Sequence, residues 1–446
     1  MKFKDWKAYW KKSPWTTKWF ALFIFLRPIV DNFYELKEVS VFLSPIYILG
    51  VLTPVFAVYF GGKLKMKNPK GPADNLMRFW LFLIVVNCAI ILFGNFSIDN
   101  FGDCIKYVTP PLIFFYLRKA INTREDLHFL LTTFLYSCIF PFFMMYFEIL
   151  VHPISPEYAS AGRGGGARIR GEYADSMNYA LFLVGSFMVY SYFFLNEVHN
   201  KVKDKVRQTS TAKLMACFVI CLVGIISLRH VSTWGVFLSL IAILMYFNAQ
   251  NIKGLFFVVF IAAIIIPFFA DTIYEKEVRP LIEKEFSVIN GDKDVSYAFD
   301  GRMSRWQKYF EIWDRLPYMS HVIGVGFSDA NEAIVMIGGG MHNDYIRILF
   351  LTGFVGVGSY VFFFFFLLWR RKFLLPPEKF LLIGSVAIFM LYSISAVPTL
   401  YGGIFSLTFP VFCFAVLPRQ RAYNIKPVKR PALFEGTMPL ASSGSL

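Results

Sequence analysis

The chain has 446 residues, of which 56% are hydrophobic and only 17% charged, and its mean hydropathy is +0.52. No soluble core of this size needs so many long apolar runs, so the composition excludes a soluble globular protein and points to a polytopic membrane protein. The formal charge of +15, from 45 basic and 30 acidic residues, would suggest nucleic acid in a soluble protein. In a membrane protein it fills cytoplasmic loops instead, and no nucleic-acid partner is expected.

The chain opens on a basic, tryptophan-rich stretch over residues 1–19. Lys2, Lys4, Lys7, Lys11, Lys12 and Lys18 alternate there with Trp6, Trp10, Trp15 and Trp19, a pattern suited to a membrane interface. The first apolar run lacks a small-residue cleavage site and reads as retained. About twelve spans follow, with cores near 20–35, 42–61, 79–95, 101–118, 128–151, 176–195, 213–228, 232–247, 254–270, 344–368, 379–396 and 399–417.

Basic residues set the orientation. Lys63, Lys65, Lys67 and Lys70, then Arg118, Lys119 and Arg124, then Lys201, Lys203, Lys205 and Arg207 fill every second loop. Arg370, Arg371 and Lys372 follow the tenth span, and Arg419, Arg421, Lys426, Lys429 and Arg430 the twelfth. All fall on one side when the span count is even, which places both termini in the cytoplasm. The expected organisation is a cytoplasmic N-terminus (1–19), spans 1–9 (20–270), a large periplasmic loop (271–343), spans 10–12 (344–417) and a cytoplasmic tail (418–446). Segment 152–175 is a shorter external loop.

Six cysteines lie in or beside apolar runs. Cys217 and Cys221 share a helix face without a His or acidic neighbour, which argues against a metal site or a disulfide there.

Against this bias, several cations fall in external segments. Arg229 closes the seventh span at a tight turn, where its planar fork suits phosphate oxygens; snorkelling to the lipid headgroups is the competing reading. Arg163, Arg168 and Arg170 stand in a glycine-rich loop without the Gly-Lys-Ser/Thr of a nucleotide-binding loop. Glycines there let the backbone approach a ligand or move as a lid. Arg163 reads equally as a solvated bystander.

Residues 300–316 read as an amphipathic helix, with Met303, Trp306, Phe310, Trp313 and Leu316 at helical spacing and Asp300 as a candidate N-cap. Arg302 and Arg305 lie on this helix. An interfacial helix on the bilayer and a site helix are equally consistent with the pattern.

Gly338–Gly340 and Met341 lead into His342, Asn343 and Asp344 at the start of the tenth span. Asn343 or Asp344 serves as a helix cap, whereas His342 has no capping role and suits a general base near neutral pH. Arg347 lies a little over one turn deeper, where an unpaired charge is costly, and is expected to face a polar cavity. Arg27 and Asp31, at i and i+4, form an expected structural pair. Lys106, beside Asp103, is a candidate addition to a phosphate site.

These elements resemble the O-antigen ligase and O-antigen polymerase (Wzy-type) superfamily. Leu228-Arg229 matches the family's Arg at the outer end of a span. Gly301-Arg302 with Trp306, then Gly324-Val325-Gly326, matches its Gly-Arg, Trp and Gly-x-Gly series. His342-Asn343 followed by Gly353-Phe354-Val355-Gly356 matches its His-Asn and Gly-x-x-Gly. Arg168 or Arg170 with Gly171 and Asn178 resembles a further family element, although the Pro that usually precedes that Asn is absent. The resemblance covers roughly residues 165–360, and the flanks only by topology.

The resemblance implies a metal-independent, cofactor-free inverting glycosyltransferase in the bacterial inner membrane, with its site facing the periplasm. The donor would be an undecaprenyl-diphosphate-linked glycan. Arg229 and Arg302 would hold the diphosphate as leaving group and His342 would activate the acceptor hydroxyl. Arg168, Arg170, Arg305, Arg347, Lys106 and Asn343 are further substrate-binding candidates. The acceptor would be another lipid-linked glycan for a polymerase, which is favoured, or lipid A-core for a ligase. Flippase and chain-length regulator proteins are candidate partners. A lipid-linked oligosaccharide transporter is the more remote alternative; it predicts midplane charges on broken helices and related halves.

Overall fold

The computed structural model describes residues 3–33, 36, 44–94, 97–151, 176–199, 211–228, 230–248, 287, 290, 298–326, 337 and 341–418. The regular elements among them are all helical. Six helical segments are long and apolar enough to cross a membrane. They are α3 (Pro45–Lys63), α4 (Pro72–Gly94), α6 (Arg124–Ser137) continuing into α7 (Ile139–Val151), α8 (Ser176–His199), α13 (Asp344–Arg370) and α14 (Pro376–Ser395). Shorter apolar helices are α9 (Thr211–Leu228), α10 (Val231–Phe247) and α15 (Gly402–Ala415). Two more apolar positions expected to span are α2 (Trp15–Asp31) and α5 (Ile98–Ala120). The protein is therefore an α-helical, multi-pass membrane protein, and the bilayer is its surroundings. The expected span at 254–270 lies outside the described residues.

Some boundaries differ from those read off apolar runs, because caps set them. The fifth expected span begins at Arg124, not 128. Thr123 and Asp126 form a reciprocal capping box that satisfies the first amide groups of α6.

The tryptophans of the N-terminal stretch are also placed differently. In α1 (Phe3–Lys12), Trp6 donates from Nε1 to the Thr133 hydroxyl at 2.9 Å and stacks on Phe129 of α6, and Trp10 packs at a tilt on the same ring. Trp19 is buried against Phe60 and Tyr116. These rings serve interhelical packing; of the four, Trp15 is the one that stays largely exposed.

Helix association in lipid gains little from the hydrophobic effect and depends on close packing and polar contacts. Accordingly, Phe363, Phe364, Phe389, Phe409 and Phe412 interlock edge-to-face and tilted between α13, α14 and α15. Arg118, expected as a loop cation, is instead fully buried. Its Nε and Nη2 donate to the Asp74 carboxylate at 2.8 and 3.1 Å, a two-point ion pair joining α5 to α4.

Helix directions follow from such contacts. Tyr116 donates to the Thr16 carbonyl at 2.6 Å and Arg370 to the Leu417 carbonyl at 3.0 Å, so these four residues share one end of the bundle. The C-terminal end of α2 and the first turns of α5, α13 and α15 meet at the opposite end, where His342 lies.

At that end, α11 (Ala298–Asp314) docks on the bundle. Tyr309 and Trp313 are buried with Ile84 and Cys88 of α4, Cys104 and Tyr107 of α5, and Ile346 and Phe350 of α13. Met303 and Phe310, expected on the apolar stripe, are exposed. Docking rotates the buried face to Trp306, Tyr309, Trp313 and Leu316, a stripe at helical spacing that also carries Arg302 and Arg305.

The short helix α12 (Tyr318–Ile323) follows and fits into a break in α13. Gly353 has φ 63° and ψ −166°, which interrupts the helical ladder. The Phe350 carbonyl then accepts the Val325 amide at 2.8 Å, and the Leu351 carbonyl faces the Asn87 side-chain amide at 3.4 Å. Backbones approach closely here. A Cβ at Gly353 would sit 2.3 Å from the Val322 oxygen, and one at Gly324 would sit 2.4 Å from the Leu351 carbonyl carbon. Both glycines also have positive φ, so neither position admits a side chain without strain.

Candidate functional site

The site is built around the segment that enters α13. Met341 is buried, and its carbonyl accepts the Trp306 indole N–H at 3.1 Å, which ties this segment to α11. His342 follows with φ 43°, the only non-glycine in the left-handed region among the described residues. That conformation costs an L-residue energy and persists only where the surroundings impose it. Here they do: Trp306 fixes the residue before, and Asn343 fixes the residue after.

Asn343 is the N-cap, its Oδ1 accepting the Ile346 amide at 3.1 Å. Asp344 has a different task. It is fully buried, and its two oxygens accept the Thr399 hydroxyl at 2.6 Å and the Thr399 amide at 3.1 Å. This joins α13 to the turn Pro398–Leu400 that leads into α15. His342 itself is exposed at the bundle end.

Arg347 is half-buried, one turn below. Its Nε donates to the Tyr107 hydroxyl of α5, and its guanidinium carbon lies 5.0 Å from that ring's centre. Ring and hydroxyl together orient the fork. On α11, Arg302 and Arg305 are half-buried on the docked face, one turn and less than one turn from Trp306. Burial pushes the Tyr309 hydroxyl up to about 12, while the Arg305 and Arg347 charges pull it back down. The same hydroxyl thus senses a cation from each of two sequence-distant helices.

The structure brings together His342, Asn343, Arg347 and the Arg302–Arg305 turn. Arg168, Arg170 and Arg229 lie outside the described residues, as does Arg163. Lys106 pairs with Asp103 at 2.8 Å and faces away from Tyr107, on the other side of α5. Arg27 pairs with Asp31 at 2.7 Å, as the i, i+4 spacing requires.

Tyr107, Tyr309 and Thr399 were not legible as site-forming residues. Tyr309 alone left a signal, standing two turns after Arg302 on one helical face. Among the described residues, no cluster of three or more His, Cys, Asp or Glu could hold a metal ion.

Half-buried guanidiniums at the end of a membrane-embedded bundle suit an anion carried at the bilayer surface. An exposed imidazole beside them suits proton transfer. No protein-family model matches the sequence, and none of the curated proteins matches it.

Proposed function

We propose that this protein transfers a glycan from undecaprenyl diphosphate to an acceptor sugar hydroxyl at the outer leaflet, as a polymerase of surface polysaccharide. The proposal includes twelve spans in the bacterial inner membrane, cytoplasmic termini and the His342 end facing the periplasm.

One observation carries the reading. The Trp306–Met341 hydrogen bond couples the arginine-bearing helix α11 to the strained His342 segment, which supports a proposed anion site and base on one rim. The sequence resemblance adds the substrate class.

In this reaction the acceptor oxygen attacks the anomeric carbon as the bond to the diphosphate oxygen breaks. The bonding pair leaves with the diphosphate, where Arg302 and Arg229 stabilise the developing charge, assisted by Arg305 and Arg347. Arg168 and Arg170 add contacts from the glycine-rich loop. The acceptor proton passes to His342, and attack from the face opposite the leaving group inverts the anomeric centre.

Purified protein given a defined undecaprenyl-diphosphate glycan tests the reaction: wild-type protein should lengthen the glycan and release undecaprenyl diphosphate. Deleting the gene separates the two acceptors. Single repeats on the lipid core indicate a lost polymerase, and long polymer retained on undecaprenyl diphosphate indicates a lost ligase.

A further inference from the structure

A cavity of about 290 Å³ lies at the His342 end between α2, α3, α5 and the start of α15. It occupies the face of α5 opposite the candidate site. Lys106 and Thr109 line it, whereas Cys104 and Tyr107 pack toward α11 and α13.

Two cations meet there. Arg27 uses Nε for Asp31, and among the described residues its terminal nitrogens have no hydrogen-bond partner. The guanidinium lies over Gly402, so close that a Cβ there would sit 3.0 Å from its carbon and 3.1 Å from Nη1. Gly402 opens the 14-residue helix α15, whose first amide groups add partial positive charge. Lys106 is half-exposed, so its pair with Asp103 is screened and easily exchanged for another anion.

The cavity's glycines point the same way. Gly185 and Gly384 admit close helix packing, with side-chain atoms 2.8 and 2.9 Å from where a Cβ would be. Gly50 and Gly102 line the cavity, and a Cβ at either meets nothing within 4 Å. Glycine weakens a helix relative to alanine. Close packing does not explain these two; the space they leave is the cavity itself. Phe23, Val51 and Phe405 supply apolar walls beneath the cations.

We infer that this cavity binds the phosphate of a membrane lipid. Arg27, Lys106 and the start of α15 take the phosphate oxygens, and the apolar walls take the first part of the chain. The inference is independent of glycosyl transfer, because neither His342 nor Arg302 lines the cavity.

Native mass spectrometry of the purified full chain tests it, with phosphatidylglycerol, undecaprenyl phosphate or inorganic phosphate added in separate arms. Wild-type protein should retain a phosphate-bearing lipid whose mass identifies it. Gly102→Leu, which fills the cavity, and Lys106→Ala, which removes a half-exposed cation, should each lower retention about tenfold. Gly62→Leu, equally open but outside the cavity, and His342→Ala should retain lipid as wild type does. Equal retention in Lys106→Ala and wild type overturns the inference even if Gly102→Leu fails to fold. So does binding of inorganic phosphate as tight as that of either lipid.

Discussion

Arg347 and Tyr107 are joined across two helices that lie 240 residues apart in sequence, the guanidinium Nε donating to the phenol oxygen while the ring lies beneath it. The contact explains how a cation stays oriented one turn inside a membrane-embedded helix. Tyr107→Phe keeps the ring and removes the acceptor. Turnover should fall about tenfold as Arg347 loses its orientation, and the melting temperature should drop by the modest amount that one lost hydrogen bond represents. Steady-state kinetics alongside melting curves check this. Equal turnover in Tyr107→Phe and wild type would show that the orientation of Arg347 does not matter.

The break in α13 depends on glycine for two reasons, its positive φ and the Val322 oxygen facing it. Gly353→Ala should destabilise the protein by at least about 2 kcal/mol, since backbone rather than a side chain must yield. Gly50→Ala, in open space, should be neutral or stabilising. Thermal unfolding of the two variants in the same detergent gives the comparison.

His342 holds a conformation that glycine adopts freely. His342→Gly should therefore raise stability by about 1 kcal/mol while slowing transfer by about 10²–10³-fold. A stability loss would mean that the imidazole contributes packing that outweighs its backbone strain. Melting temperature and activity measured on one preparation separate these outcomes.

Tyr309 gives a pH signature. Its hydroxyl is raised from its ordinary value of 10.0 to about 12, so the folded protein favours the neutral phenol. The stability this represents is complete below pH 10 and is lost as pH rises toward 12. Tyr309→Phe should flatten the fall in melting temperature across that window and leave the neutral range unchanged.

Six of the expected spans were legible because each needs about twenty apolar residues, and length and composition suffice to find them. His342, Asn343 and Arg302 stood out in the sequence as an unexplained histidine, a cap and a charge, and the structure places them around the segment that enters α13. The rotation of α11 was not. Met303 and Phe310 are as apolar as Trp306 and Trp313, and only docking on Phe350 decides which face is buried. The roles of Tyr107 and Thr399 were equally hidden, since each exists only through a partner far away in sequence. The glycine motifs were visible as letters. Their physical purpose, a backbone-to-backbone fit of α12 into a broken helix, exists only in the folded chain.

Transfer by purified protein, with Arg302→Ala and His342→Ala beside wild type, tests the central claim most directly. Wild-type protein should convert a defined undecaprenyl-diphosphate glycan into longer product. Each variant should be folded yet slower by about 10²–10³-fold, as loss of an anion-stabilising donor or a general base requires. Full activity in both variants, or no transfer by folded wild-type protein, would contradict the account.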